Sequence, residues 1–172
     1  AHPLATQAGL EILAAGGNAF DAAVAVSAAL AVVEPYSSGI GGGGFWLLHR
    51  ESDGFEVMVD GREKAPLAAT SNMYLDTRGH VVPGLSVDGA LAAGIPGEPA
   101  ALVHIAKRYG RLPLKRSLAA AIRLARDGFP VDEYYRRMAR FRLAALQDDA
   151  AAAAIFLSED EIPAVGTRIL QP

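Results

Sequence analysis

Gly39-Ile40-Gly41-Gly42-Gly43-Gly44 runs directly into Phe45-Trp46-Leu47-Leu48-His49-Arg50. Glu51-Ser52-Asp53-Gly54, Phe55-Glu56-Val57-Met58-Val59-Asp60 and Gly61-Arg62-Glu63-Lys64-Ala65-Pro66 follow. The two apolar runs have strand length, and Asp53-Gly54 accepts the positive φ of a tight reversal, so the pattern predicts a β-hairpin over residues 45–60. Phe45, Leu47, Phe55, Val57 and Val59 occupy alternating positions, but Trp46, Leu48 and Met58 make the intervening ones apolar as well. A sheet apolar on both faces needs cover on both, so the hairpin is expected in the middle of a layered fold. Arg62 follows the second strand, where sheet gives way to loop, a frequent place for a binding residue.

Outward from the hairpin the chain reads as helices. Pro3 suits a first helical position, Ala5, Ala8, Gly9, Ile12 and Leu13 share one face, and Gly16-Gly17 is a stop. Asn18 caps a second helix over Ala19–Val33, with Asp21 in its first turn. This helix is apolar almost all round and therefore buried or membrane-spanning. A span needs ~20 apolar residues; this run is shorter and carries Asp21 and Ser27, which favours burial.

Beyond Pro66 an irregular stretch extends to Pro96, with turns at 76–79 and 82–84. Three more helices are expected: Glu98–Tyr109; Pro113–Arg126, aligning Leu114, Leu118, Ala121, Ile122 and Ala125; and Asp132–Leu146, with Tyr134, Met138, Phe141 and Ala145 inward. Arg136, Arg137, Arg140 and Arg142 read as a solvated face, and 150–154 as a low-complexity helical patch. The fold class is α/β in the α+β sense, mostly helical with one central β-hairpin.

Composition narrows the function classes. The 172 residues carry 16 basic and 19 acidic side chains, so neither nucleic acid nor a membrane surface is an expected partner. The absence of cysteine removes disulfides, thiol catalysis and thiolate metal sites. His2, His49, His80 and His104 lack metal-ligand spacing, so no metal or cofactor is expected. Ala1 opens on an amphipathic pattern without the basic head of a signal peptide.

Gly39, Gly41 and Gly44 match dinucleotide-binding spacing, but a helix precedes them and a strand follows, the reverse of the order a phosphate site needs. The glycines read better as positions where backbone runs close to a neighbouring layer or a substrate. Ser86 lacks the second glycine of a nucleophile elbow. Asp60 and Glu63 could pair as carboxylates or orient Arg62 and its loop.

Several motifs together resemble the large subunit of the γ-glutamyltranspeptidases. They are Ala5–Gly9, Ile12–Ala25, Gly39–Phe45, Asp60–Pro66, Gly94-Ile95-Pro96-Gly97 and Ala125–Phe129, in the family's order and across nearly the whole chain. The resemblance implies part of an N-terminal-nucleophile hydrolase with a four-layer αββα sandwich. It implies a precursor that cleaves itself into two subunits, and a small-subunit N-terminal Thr that attacks a γ-glutamyl carbonyl. Arg62 matches the position that grips the substrate α-carboxylate. Thr6, Thr70, Thr77 and Thr167 all lack the setting of the nucleophile.

Residues 1–172 are thus expected to be the N-terminal portion of the large subunit, a single partial domain without the nucleophile. Its expected partners are a glutathione-like γ-glutamyl substrate, the small subunit and the rest of the large subunit; alone, it is expected to pack poorly or self-associate. The compartment implied is periplasmic or secreted. Alternatives are a relative acting on poly-γ-glutamate or a β-lactam side chain, and, from another class, a non-catalytic helical interaction module.

Overall fold

Residues 2–172 are described by a computed structural model. Helix α1 spans Pro3–Ala14, with Pro3 in its first turn and His2 Nδ1 accepting from Leu4 N–H at 3.1 Å. Gly16, at φ +87°, turns the chain into α2, Ala19–Val33. There Asn18 Oδ1 accepts from the N–H groups of Phe20 and Asp21, and Asp21 Oδ2 accepts from Asn18 N–H. These reciprocal bonds satisfy donors that a helix N-terminus leaves open.

Helix α2 is the centre of the fold. Phe20, Val24, Ala25, Ala28, Ala29 and Val33 are buried along it. Toward α1 and the later helix α4 (Leu114–Asp127) the contact is lined by Ala5, Ala8, Ala29 and Ala120. Small side chains let the helices approach closely, and a Cβ on Gly9 would stand 2.8 Å from Val26 Cγ2. The alanine content therefore buys tight helix packing, at dense interior spacing.

Strands β1 (Phe45–Arg50) and β2 (Phe55–Asp60) form the expected antiparallel hairpin, in the register Phe45 to Asp60 and Arg50 to Phe55. Gly54 supplies the reversal at φ +67°. Trp46, Leu48, Val57 and Val59 face Phe20, Val24 and Ala28 of α2 and Leu102 and Ile105 of α3 (Glu98–Tyr109). The Trp46 indole N–H donates to Ser27 Oγ at 3.2 Å, tying β1 to α2. The other face is bare: Leu47 is 77% exposed, and Phe45 and Met58 are each 61% exposed. Cover on both faces was the expectation, and within these residues the sheet has it on one.

The C-terminal third departs from the sequence reading in three ways. The expected helix 132–146 is two helices, α5 (Glu133–Arg140) and α6 (Leu143–Asp148). Its inward stripe is also displaced: Phe141 and Tyr134 are exposed, while Tyr135 and Ala139 are buried. Tyr135 wins because its hydroxyl reaches the carbonyl of Phe156 at 3.1 Å while its ring packs with Phe129. Along α4 the buried residues are Ser117, Ala120 and Ala121, and Ile122 is 54% exposed, because the close approach to α2 admits only small side chains.

A second, two-residue ladder joins β3 (Phe129–Pro130) to β4 (Arg168–Ile169). Helix α7 is Ala150–Phe156. Of the four arginines read as a solvated face, Arg137 lies over the Tyr134 ring and Arg142 pairs with Asp88. No helix among the described residues is long and apolar enough to cross a membrane.

Candidate functional site

The end of β2, the loop after it and the start of α3 meet at one place. A cavity of about 590 Å³ opens there, lined by Val57–Arg62, Lys64, Ile95–Gly97, Ala100, Ala101 and His104. Arg62 stands at its lip with its side chain 52% exposed. Its Nη2 pairs with Glu63 Oε2 at 3.0 Å, its Nη1 donates to the Gly43 carbonyl at 3.3 Å, and its guanidinium carbon sits 5.9 Å from the centre of the Phe45 ring. The guanidinium thus has three neighbours and remains half open to solvent.

The local chain explains this pose. Asp60 Oδ1 accepts from Arg62 N–H at 2.9 Å, a short loop bond that turns the backbone as it leaves β2. Gly44 and Gly61 exchange backbone hydrogen bonds, N–H to carbonyl at 3.3 Å and 3.0 Å, extending the ladder past Phe45 and Asp60. Lys64 and Ile95 exchange another pair at 3.1 Å and 2.8 Å. The carbonyl of Gly42 accepts from the N–H groups of Gly97 and Glu98, both at 3.1 Å, and so satisfies donors at the α3 N-terminus. Of the two carboxylates near Arg62, Asp60 shapes the backbone and Glu63 takes the ion pair.

Three neighbours escaped the sequence reading. Lys64 adds a second cation to the cavity wall. His104 joins it because α3 spacing puts it one turn from Ala100 and Ala101, a signal the sequence did contain. Glu98, only 9% exposed, is the third. Burial, and second the charge of Glu63, hold its carboxyl above the ordinary carboxylate range.

The sign of that shift makes a prediction. A folded-state value above the unfolded one contributes stability present at acid pH and lost as pH rises through the raised value. Glutamine mimics the protonated acid and has no charge to develop. Glu98→Gln is therefore expected to melt with the parent protein at the acid end and above it at neutral pH. Parallel melts across pH 4–8 check this; a constant offset between the two proteins across that range would refute it.

The remaining candidates lie apart from this cavity or serve other ends. His49, on the bare hairpin face, lies between Glu51 (2.9 Å) and Glu56 (3.0 Å), whose hydrogen bonds raise its pKa. His80 is near Asp76 in a turn, and Thr70 Oγ1 bonds Asn72. No group of three or more histidine, aspartate or glutamate side chains among the described residues could hold a metal ion.

The sequence matches the family model described as Gamma-glutamyltranspeptidase over residues 5–172. The chain belongs to the γ-glutamyltranspeptidase family. It is 42% identical over 176 residues to a glutathione hydrolase proenzyme of Pseudomonas sp. (strain A14), covering 99% of this chain and 30% of that protein. It is 40% identical over 181 residues to the acylase ACY 1 proenzyme of Pseudomonas sp. (strain V22), covering 99% of this chain and 31% of that one. The crystal structure of Helicobacter pylori γ-glutamyltranspeptidase matches with a TM-score of 0.95 at 41% identity, over 99% of this chain and 49% of the other. The chain thus spans under a third of the length of these curated relatives. The fold is that of a γ-glutamyltranspeptidase N-terminal-nucleophile hydrolase, α+β and mostly helical, as the sequence reading had it.

Proposed function

We propose that the full-length γ-glutamyltranspeptidase-family protein containing this chain transfers or hydrolyses γ-glutamyl groups of glutathione-like donors, and that Arg62 holds the donor's α-carboxylate. The observation that carries the reading is the pose of Arg62: a half-exposed guanidinium contacted by Gly43, Glu63 and Phe45, on a residue that lines a cavity large enough for a small donor. A planar fork that stays charged at any working pH meets both oxygens of a carboxylate. Fixing that end of the donor fixes where its side-chain carbonyl lies, so the contact works through position.

On this reading the attacking hydroxyl belongs to a threonine outside these residues, activated by its own amine. It forms a γ-glutamyl ester and releases the donor's amine, and water or an acceptor amine then displaces the ester. The small subunit and the rest of the large subunit would complete the site and cover the bare hairpin face. A periplasmic or secreted location is the working expectation from the family resemblance. A second reading, hydrolysis of another acyl donor, draws support from the 40% identity to an acylase.

Turnover of γ-glutamyl para-nitroanilide tests the proposal. The full-length protein is expected to release the chromophore, whereas residues 1–172 alone are expected to release none above a blank. Among the threonines here, Thr6 lies within α1, Thr70 and Thr77 in turns, and Thr167 just before β4. Binding groups without an attacking atom lower no chemical barrier. A full-length protein inactive on this donor but active on other acyl amides would favour the second reading. Turnover by the isolated chain would contradict the assignment of the nucleophile.

A further inference from the structure

The glycines around Arg62 are more crowded than the hydrogen-bond pattern requires. A Cβ on Gly43 would fall on the Gly61 carbonyl oxygen and stand 2.9 Å from Arg62 Cα. A Cβ on Gly97 would fall on the carbonyl oxygens of both Gly61 and Arg62, and 2.7 Å from the Gly61 carbonyl carbon. The atoms met are backbone, which cannot rotate aside as a side chain can. The Gly61–Arg62 segment therefore lies against two glycine backbones that converge on the Gly61 carbonyl, with no room for a methyl group on either glycine. Gly61 itself is backed by Trp46, whose Cζ3 would stand 2.6 Å from a Cβ there. Trp46 is in turn tied to Ser27 of α2.

Crowding of this kind does something that hydrogen bonds alone would not. Arg62 has a long, flexible side chain, so its guanidinium is placed only if the root of that chain is also placed. Hydrogen bonds from Gly97 and Glu98 to Gly42 draw the glycine run and α3 together, with the Gly61–Arg62 segment packed against both. Gly43 then serves twice, packing on the Arg62 backbone and accepting from its Nη1.

We infer that Gly43 and Gly97 are positioning residues for Arg62, both packed directly on the Gly61–Arg62 backbone so that the guanidinium presents a fixed fork to the donor carboxylate. The inference rests on the proposed role of Arg62 and adds what holds that residue in register. A methyl group at either glycine forces the Gly61–Arg62 backbone to shift by a fraction of an ångström to an ångström. Misplacement on that scale costs up to roughly a hundredfold in rate when it falls on a positioning group.

The test compares two donors in the full-length protein: γ-glutamyl para-nitroanilide, and γ-aminobutyryl para-nitroanilide, which lacks the α-carboxylate. Gly43→Ala and Gly97→Ala are each expected to lower kcat/KM for the first donor by roughly tenfold or more, mainly through KM, and to move the second by no more than about twofold. Gly110→Ala is the control. Its Cβ would collide with Asp21 Oδ1 and stand 2.6 Å from the Ala106 carbonyl oxygen, away from Arg62, so it should lower the melting temperature without changing the ratio between donors.

Should Gly43→Ala and Gly97→Ala fail to fold, Gly42→Ala keeps the question open. Its Cβ would meet Glu63 Oε1 at 3.2 Å, the movable end of the side chain paired with Arg62, and should shift the donor ratio in the same direction by a smaller factor. A donor ratio unchanged in the folded glycine variants, with Arg62→Lys still altering it, overturns the inference and leaves the role of Arg62 standing. A ratio unchanged in Arg62→Lys as well overturns both.

Discussion

Arg62→Lys in the full-length protein is expected to lower kcat/KM for donors bearing an α-carboxylate by on the order of tenfold to a hundredfold, and to spare donors that lack it. The size follows from the contact being lost. A hydrogen bond to a charged partner is worth about 1.5–3 kcal/mol, and lysine keeps the charge while giving up the second arm of the fork. The resting structure adds a further cost. Arg62 already bonds Glu63 and the Gly43 carbonyl, and a lysine ammonium would have to choose among these partners and the donor. Steady-state kinetics with the paired anilides read the result directly. Equal losses on both donors would make Arg62 a structural residue that shapes its loop through Glu63, and no loss on either would remove it from the site.

Asp21→Ala is the substitution expected to damage the fold most. Asp21 is wholly buried, yet its carboxylate accepts three backbone donors: Asn18 N–H at 2.9 Å, Arg111 N–H at 2.9 Å and Leu112 N–H at 3.3 Å. One closes the N-terminus of α2, and the other two pin the loop between α3 and α4. The neighbouring Asn18 amide adds a bond to the Tyr109 carbonyl at 2.7 Å. Alanine would leave three donors without a partner, at about 1–3 kcal/mol for each one buried, and would remove a negative charge from the positive end of a helix. A loss on the order of 3–5 kcal/mol is expected, near the upper limit for a single substitution.

In a chain of this size that lowers the melting temperature by roughly 10 °C. Asp21→Asn retains one acceptor oxygen and should lose less. Amide hydrogen exchange should rise first at residues 18–21 and 110–112. A melting temperature within a degree of the parent protein would show that water or a rearranged loop replaces the carboxylate.

How much of this could be read from the chain alone differs from one element to the next, and local chemistry is the dividing line. The hairpin bounds, the span of α2 and its Asn18 cap, and the span of α3 came out as read, because strand-length apolar runs around an Asp-Gly turn, an N-cap and a terminal glycine act within a few residues. The family was likewise legible, since its motifs are short runs that keep their spacing in one dimension.

Other features depended on neighbours distant in sequence. Tyr135 is buried where Tyr134 was expected, because Phe129 and the Phe156 carbonyl wait on that side. Ala121 is buried as read, but the burial of Ala120 and the exposure of Ile122 follow from how near α2 and α4 approach, which periodicity does not report. Asp21 was expected to favour a helix dipole and proved to hold a loop about ninety residues away. The glycine run that includes Gly43 carried a sequence signal for close approach but none for what approaches it, and Gly97 was legible only as part of a family motif; the Arg62 backbone lies against both because three separated segments fold onto one another. Residue types and spacing therefore determined which elements form and which family they compose. Only packing between distant segments decided which faces are buried and what holds Arg62 in place, since those depend on distances that no local pattern encodes.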